Sequence, residues 1–123
     1  MAYQSFEDLE VWKKARELKT KISRLVKGFP PDEKLRLTDQ LIRSSRSINS
    51  QLAEGHGRRT WPDRLRFCVI ARGSLSETLN HLLDARDENY ISEEQLTSYR
   101  QKLIEVEKLL NGYISYLEKK SNQ

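Results

Sequence analysis

A chain of 123 residues, 33% of them charged and with a formal net charge of +4, has room for one domain with its own core and no disulfide or metal to hold it. The single cysteine, Cys68, excludes an internal disulfide, and no apolar run is long enough to span a bilayer. The N-terminal MAYQSFEDLEVWKK lacks a secretion-signal apolar stretch, so a cytoplasmic protein without a membrane partner is expected.

The first periodic segment covers residues 6–27. Ser5 and Asp8 are spaced as a capping box. Val11, Ala15, Leu18, Ile22, Leu25 and Val26 recur every three or four residues and give one apolar face. Gly28 and Pro30-Pro31 end it. A second segment is expected over 32–54, with Asp32 and Glu33 in its first turn, Leu37, Leu41, Ile48 and Leu52 on one face, and Gly55 as its stop. Its interior carries Ser44, Ser45, Ser47 and Ser50. Ser44 and Ser45 flank the Leu41/Ile48 face, where small side chains let a neighbouring helix approach closely.

The third segment covers 61–86. Thr60 is its N-cap, Pro62 and Asp63 lie in the first turn, and Phe67, Ala71, Leu75, Leu79 and Leu82 follow the helical period. The fourth covers 93–119, opened by a Ser92/Gln95 capping box and lined by Leu96, Tyr99, Leu103, Val106, Leu110, Tyr113 and Leu117. The final KKSNQ is expected to fray. Four long helices with short connections imply an all-α, antiparallel up-down-up-down four-helix bundle, a single domain over residues 1–123.

Two helices carry more apolar surface than a lone bundle uses. Leu35, Ile42 and Ala53 lie away from the main face of the second helix, and Leu65, Val69 and Leu83 away from that of the third. A surface helix normally shows one stripe, so these residues are candidates for a homo-oligomer interface.

The sequence gives little sign of catalysis. His56 and His81 have no Cys, His or acidic partners at metal-ligand spacing, and Cys68 is placed to pack as a small hydrophobe. No nucleophile elbow, phosphate loop or dinucleotide fingerprint occurs. Helical HEPN-type ribonucleases need a short Arg-to-His spacing on one helix. Here eight residues separate Arg72 from His81 and nine separate Arg46 from His56. No enzyme activity, cofactor or metal is expected.

The charge is uneven. Arg43, Arg46, Arg58, Arg59, Arg64, Arg66 and Arg72 fall between Leu41 and Gly73, opposed only by Glu54 and Asp63. Arginine forks suit phosphate oxygens. Arg58, Arg59 and Arg64, at the expected bundle end, are the leading candidates for phosphate contacts, with Arg43, Arg46 and Arg66 behind them. Pairing with acids at subunit contacts is the competing use. Trp61 is expected to pack across the bundle end rather than stack on a base. Glu54 opposes the dipole of its helix end and should be clamped, by Arg72 or by backbone N–H groups of the following turn.

Together FEDLEVW, FP, QLIRSSRSINSQLAEG and FCVIARGSLSE resemble the 23S rRNA intervening-sequence protein family, also called S23 ribosomal-like, over residues 5–117. Gln40, Arg43, Ser44, Ser47, Ile48, Ala53, Glu54 and Gly55 match its second-helix pattern, and Ala71, Arg72, Gly73, Ser74 and Glu77 its third. Asn49, Gln51, Leu52, Cys68 and Thr78 depart from it. The resemblance implies a left-handed bundle assembled into a ring-shaped homopentamer. It also implies a more distant similarity to the basic pentameric accessory proteins of diversity-generating retroelements, which bind nucleic acid and a reverse transcriptase. The expected function is non-enzymatic binding of nucleic acid, RNA ahead of DNA, by basic patches repeated around an oligomer. The alternative is an adaptor ring that recruits a protein partner and uses its arginines in subunit contacts.

Overall fold

The computed structural model describes residues 5–123. Four helices carry the fold: α1 Glu10–Leu25, α2 Leu37–His56, α3 Trp61–Asp87 and α4 Glu93–Ser121. No strand occurs among the described residues. Each helix packs on its sequence neighbours, and α1 also packs on α4, which closes an antiparallel four-helix arrangement. One continuous core fills it, from Val11 and Leu18 of α1 through Leu41 and Ile48 of α2 and Leu75 and Leu82 of α3 to Leu103 and Leu110 of α4. The Tyr99 hydroxyl donates to the Lys21 carbonyl oxygen at 3.2 Å and ties α4 to α1.

The helix ends correct several expectations. The first helix does not begin at residue 6. Ser5 and Asp8 do form a capping box, but it closes a separate 3-10 turn, Phe6–Asp8, and Leu9 is extended behind it. Phe6 meets the edge of Trp12 with ring centroids 5.3 Å apart, so this turn folds against α1. A second 3-10 turn, Val26–Gly28, follows α1.

The second helix starts five residues later than expected. The acids Asp32 and Glu33 occupy a 3-10 turn, Pro31–Glu33, whose first proline presets the backbone, and α2 begins only at Leu37. Leu35 therefore lies in the connection, 86% exposed, and not on a helical stripe. Thr60 caps α3 by accepting from the Asp63 N–H at 3.2 Å, and Ser92 and Gln95 cap α4 reciprocally. The fourth helix runs to Ser121, two residues past its expected end. Asn89, at φ 61°, ends α3 in the left-handed region, and the Tyr90 N–H reaches back to the Ala85 carbonyl at 2.9 Å.

Gly55 is not a stop. It is buried inside α2, which continues to His56 and is capped at Gly57. A Cβ on Gly55 would lie 2.9 Å from Phe67 Cβ and 3.1 Å from the Arg64 carbonyl oxygen. The glycine is there because α3 crosses too closely for any side chain. The rest of this α2–α3 contact, the most extensive in the bundle, is built from small hydroxyl residues. Ser47 Oγ and Ser74 Oγ share a hydrogen bond at 2.9 Å, and Thr78 Oγ1 lies 2.9 Å from Ser44 Oγ. Ser45 turns back to the Leu41 carbonyl at 2.8 Å. A buried hydroxyl without a partner would be costly, and each of these five has one.

Candidate nucleic-acid interface

The basic end of the bundle is made by the last turn of α2, residues 57–60, the first two turns of α3 and the C-terminus of α4. Glu54 is clamped there, but by Arg58, at 2.6 Å between Oε1 and Nη2. Arg72, one expected partner, is exposed on α3 and makes no such pair. The correction follows from the helix running on to His56, which puts Arg58 within one turn of Glu54. Arg58 also stacks over the Phe67 ring, 4.6 Å from its centroid. Arg64 Nε donates to the Arg58 carbonyl oxygen at 2.8 Å, and the Arg64 guanidinium stacks over Trp61 at 4.8 Å. Both arginines thus hold the α2–α3 connection in shape.

The other candidates fall into two kinds. Arg66 pairs with Asp63 at 3.8 Å, and Arg43 with Asp39 at 3.0 Å, as surface pairs within one helix. Such pairs are weak enough to exchange for a phosphate. Arg59 and Arg46 are exposed and pair with no acid among the described residues. The six do not converge. Arg46 precedes Arg58 by twelve residues, about 18 Å along the helix.

Trp61 packs against the core edge, as expected, with its ring 6.3 Å from Tyr116 in an edge-on contact. Sequence reasoning missed what α4 brings. Lys120 Nζ lies 5.9 Å from the Trp61 centroid and 5.8 Å from that of Tyr116, and Tyr116 is 49% exposed. The one-turn Tyr116/Lys120 spacing was the available signal. Tyr113 stacks beside Tyr116, and burial first, with the nearby Cys68 thiol next, pushes its hydroxyl pKa up to about 12. His56 lies at this end, and its pKa is lowered by burial first and the Arg64 charge second, with Asp8 opposing. The imidazole is therefore uncharged near neutral pH and adds nothing to the positive potential.

The remaining groups have structural settings. Cys68 is buried, and burial raises its pKa to about 12. His81 is buried, with Nε2 3.4 Å from Glu77 and Nδ1 4.0 Å from Asp84. Arg72 and His81 differ by nine residues, two and a half turns, and so project from opposite sides of α3. Among the described residues no three of His, Cys, Asp and Glu are grouped to hold a metal, and no helix is long and apolar enough to cross a membrane. Gln40 and Gly73 are exposed, with open space around Gly73.

The expected outer stripes are only partly present. Ile42, Leu65 and Leu83 are half-buried against the core edge, because close packing leaves little of either helix outside. Val69, 53% exposed, remains a truly outward apolar residue of α3.

Comparison with known proteins places these features in a family. The model of a family described as 23S rRNA-intervening sequence protein matches residues 7–112. Among solved structures, the chain is similar to a Bacteroides thetaiotaomicron protein of unknown function from the S23 ribosomal protein family. The two are 27% identical with a TM-score of 0.79, over 85% of this chain and 95% of that one. No curated protein matches.

Proposed function

Because the chain belongs to the 23S rRNA-intervening sequence protein family, we propose that it is a non-catalytic oligomer that binds nucleic acid, RNA in preference to DNA, at the basic end of each bundle. The observation that carries this reading is the mixed cation–aromatic surface of Arg59, Lys120, Trp61 and Tyr116. The exposed Arg59 and the half-buried Lys120 can meet phosphate, and a half-exposed tyrosine ring offers a base a stacking face. The family's tie to intervening sequences of 23S rRNA supports RNA as the ligand. A single such surface is a weak binder. A ring of identical subunits, a pentamer in this reading, presents it repeatedly along one strand and multiplies the affinity.

The second reading is an adaptor ring. Arg58 and Arg64 are committed within the fold, and α3 turns Val69 and the open Gly73 outward, which suits a subunit or partner contact. Filter binding of RNA by the purified protein separates the two. Retention at low salt that drops at least tenfold in the Arg59→Ala/Lys120→Ala/Tyr116→Ala variant supports RNA binding. No retention at low salt overturns it. Light scattering that gives a monomer removes the ring from both readings.

A further inference from the structure

A different surface carries a larger charge imbalance than the bundle end. Between α1 and α2, on the outside, lies a hollow of about 260 Å³ lined by Lys19, Thr20, Ser23, Arg24, Lys27 and Arg46. Four of these six are cations and none is an acid. That excess equals the formal net charge of the whole chain, +4, so the other charges of the chain sum to zero. The neighbouring hollow, about 440 Å³, shares Ser23, Lys27 and Arg46 and adds Lys34, Leu35 and one acid, Asp39. Asp39 is already taken by Arg43.

None of the five cations pairs with an acid among the described residues. Other grooves are mixed. The adjoining hollow along α1, which shares Thr20 and Arg24, sets Lys13 and Arg16 against Glu7 and Glu17, and between α3 and α4 Arg100 faces Glu107.

Arg24 and Lys27 lie at the C-terminal end of α1, where the helix dipole favours cations, but they sit three residues apart as like charges with no acid between them. Uncompensated cations in a groove raise the local concentration of a polyanion. Thr20 and Ser23 add hydroxyl donors to the floor, as phosphate oxygens require. From Lys19 to Lys27 the chain climbs about 12 Å, long enough to meet more than one phosphate of a strand. Leu35, which the fold leaves 86% exposed, gives an apolar ledge beside them for a sugar or base.

We propose that the outer α1–α2 groove is a phosphate-backbone track for the nucleic acid, separate from the cation–aromatic end and centred on Lys19, Arg24, Lys27 and Arg46. This inference rests on the nucleic-acid reading above.

The test uses the full chain and a short fluorescein-labelled oligouridine RNA, titrated by anisotropy between about 50 and 200 mM salt. Four variants are compared with the wild type: Lys19→Ala/Arg24→Ala/Lys27→Ala and the single Arg46→Ala in the groove, Arg59→Ala/Lys120→Ala at the bundle end, and Arg100→Ala as a cation outside both. The groove variant should bind at least tenfold more weakly at the lower salt and lose about 2 from the log–log salt slope, at about 0.7 per phosphate contact. Arg100→Ala should match the wild type. Arg46→Ala, a single exposed change on another helix, should weaken binding in the same direction and guards against misfolding of the triple variant. If the wild type binds but the groove variant keeps its affinity and slope, the track is wrong and the nucleic-acid reading stands. A groove variant that loses no more than Arg100→Ala also overturns the track, because the effect is then net charge alone. If the wild type does not bind, both fall.

Discussion

Replacing Gly55 by alanine tests the closest approach in the bundle. Helix propensity alone favours the change, because glycine inside a helix is about 1 kcal/mol worse than alanine. The structure opposes it. The new Cβ would sit 2.9 Å from Phe67 Cβ and 3.1 Å from the Arg64 carbonyl oxygen, where carbon atoms normally stand about 3.5–4.0 Å apart. Neither neighbour is the free end of a side chain, so α2 and α3 must separate by several tenths of an ångström along a packed interface. Overpacking of this kind costs about 1–3 kcal/mol. After the propensity gain, Gly55→Ala should lose about 1 kcal/mol, a fall in Tm of about 4 °C for a chain of this size. Gly112 in α4 and Gly73 in α3 have nothing within 4 Å of the same added atom. Gly112→Ala and Gly73→Ala should each gain about 1 kcal/mol. Thermal unfolding followed by far-UV circular dichroism, at one protein concentration, reads all three. A Gly55→Ala protein as stable as Gly112→Ala would refute the close-approach argument. Gly73→Ala carries a second readout. If its outer face joins subunits, light scattering should show a smaller particle despite the more stable helix.

Three further outcomes are expected. The Cys68 thiol, buried and raised to about 12, should resist alkylation at pH 8 in the folded protein and react at once in denaturant. Rapid native labelling would contradict its burial. His56 is held below its ordinary value of 6.5, so the unfolded chain binds more protons as pH falls through 6.5. Its contribution is therefore present above that pH and lost below it, and His56→Gln should flatten the loss in urea titrations across that range. Asn89→Ala should cost about 1 kcal/mol at the left-handed end of α3, whereas Asn89→Gly should not, and equal stabilities would argue against that conformation.

Periodicity gave the helices, and chemistry at their ends gave most of the errors. Thr60 and Ser92 were legible because each has its partner three residues on and no competing turn nearby. Ser5 and Asp8 have the same spacing, yet they close a 3-10 turn, since Leu9 is extended rather than helical. Gly55 was misread because a glycine before a turn looks the same whether it ends a helix or lets another cross it. Only the position of Phe67 decides. The small-residue interior of α2 was readable as close packing, but the pairing of Ser47 with Ser74 depends on the partner helix. At the candidate site, counting arginines over residues 41–73 singled out Arg58 and Arg64, which proved occupied. It overlooked Lys19, Arg24 and Lys27, whose charge matters through their juxtaposition with Arg46 across two helices. Charge density along a chain and charge density on a surface diverge wherever helices pack side by side.

The hydroxyl contacts between α2 and α3 have a consequence for how the chain finds one alignment. An interface of serines and a glycine is nearly smooth, with few bulky knobs to resist sliding by a turn. Ser47 with Ser74 and Ser44 with Thr78 act as paired teeth. A one-turn slip would bring Ser47 opposite Thr78, or Ser44 opposite Ser74, so only one of the two cross-helix bonds could form and the other would be lost, at about 1 kcal/mol. These bonds thus favour the native alignment over shifted packings of the same two helices.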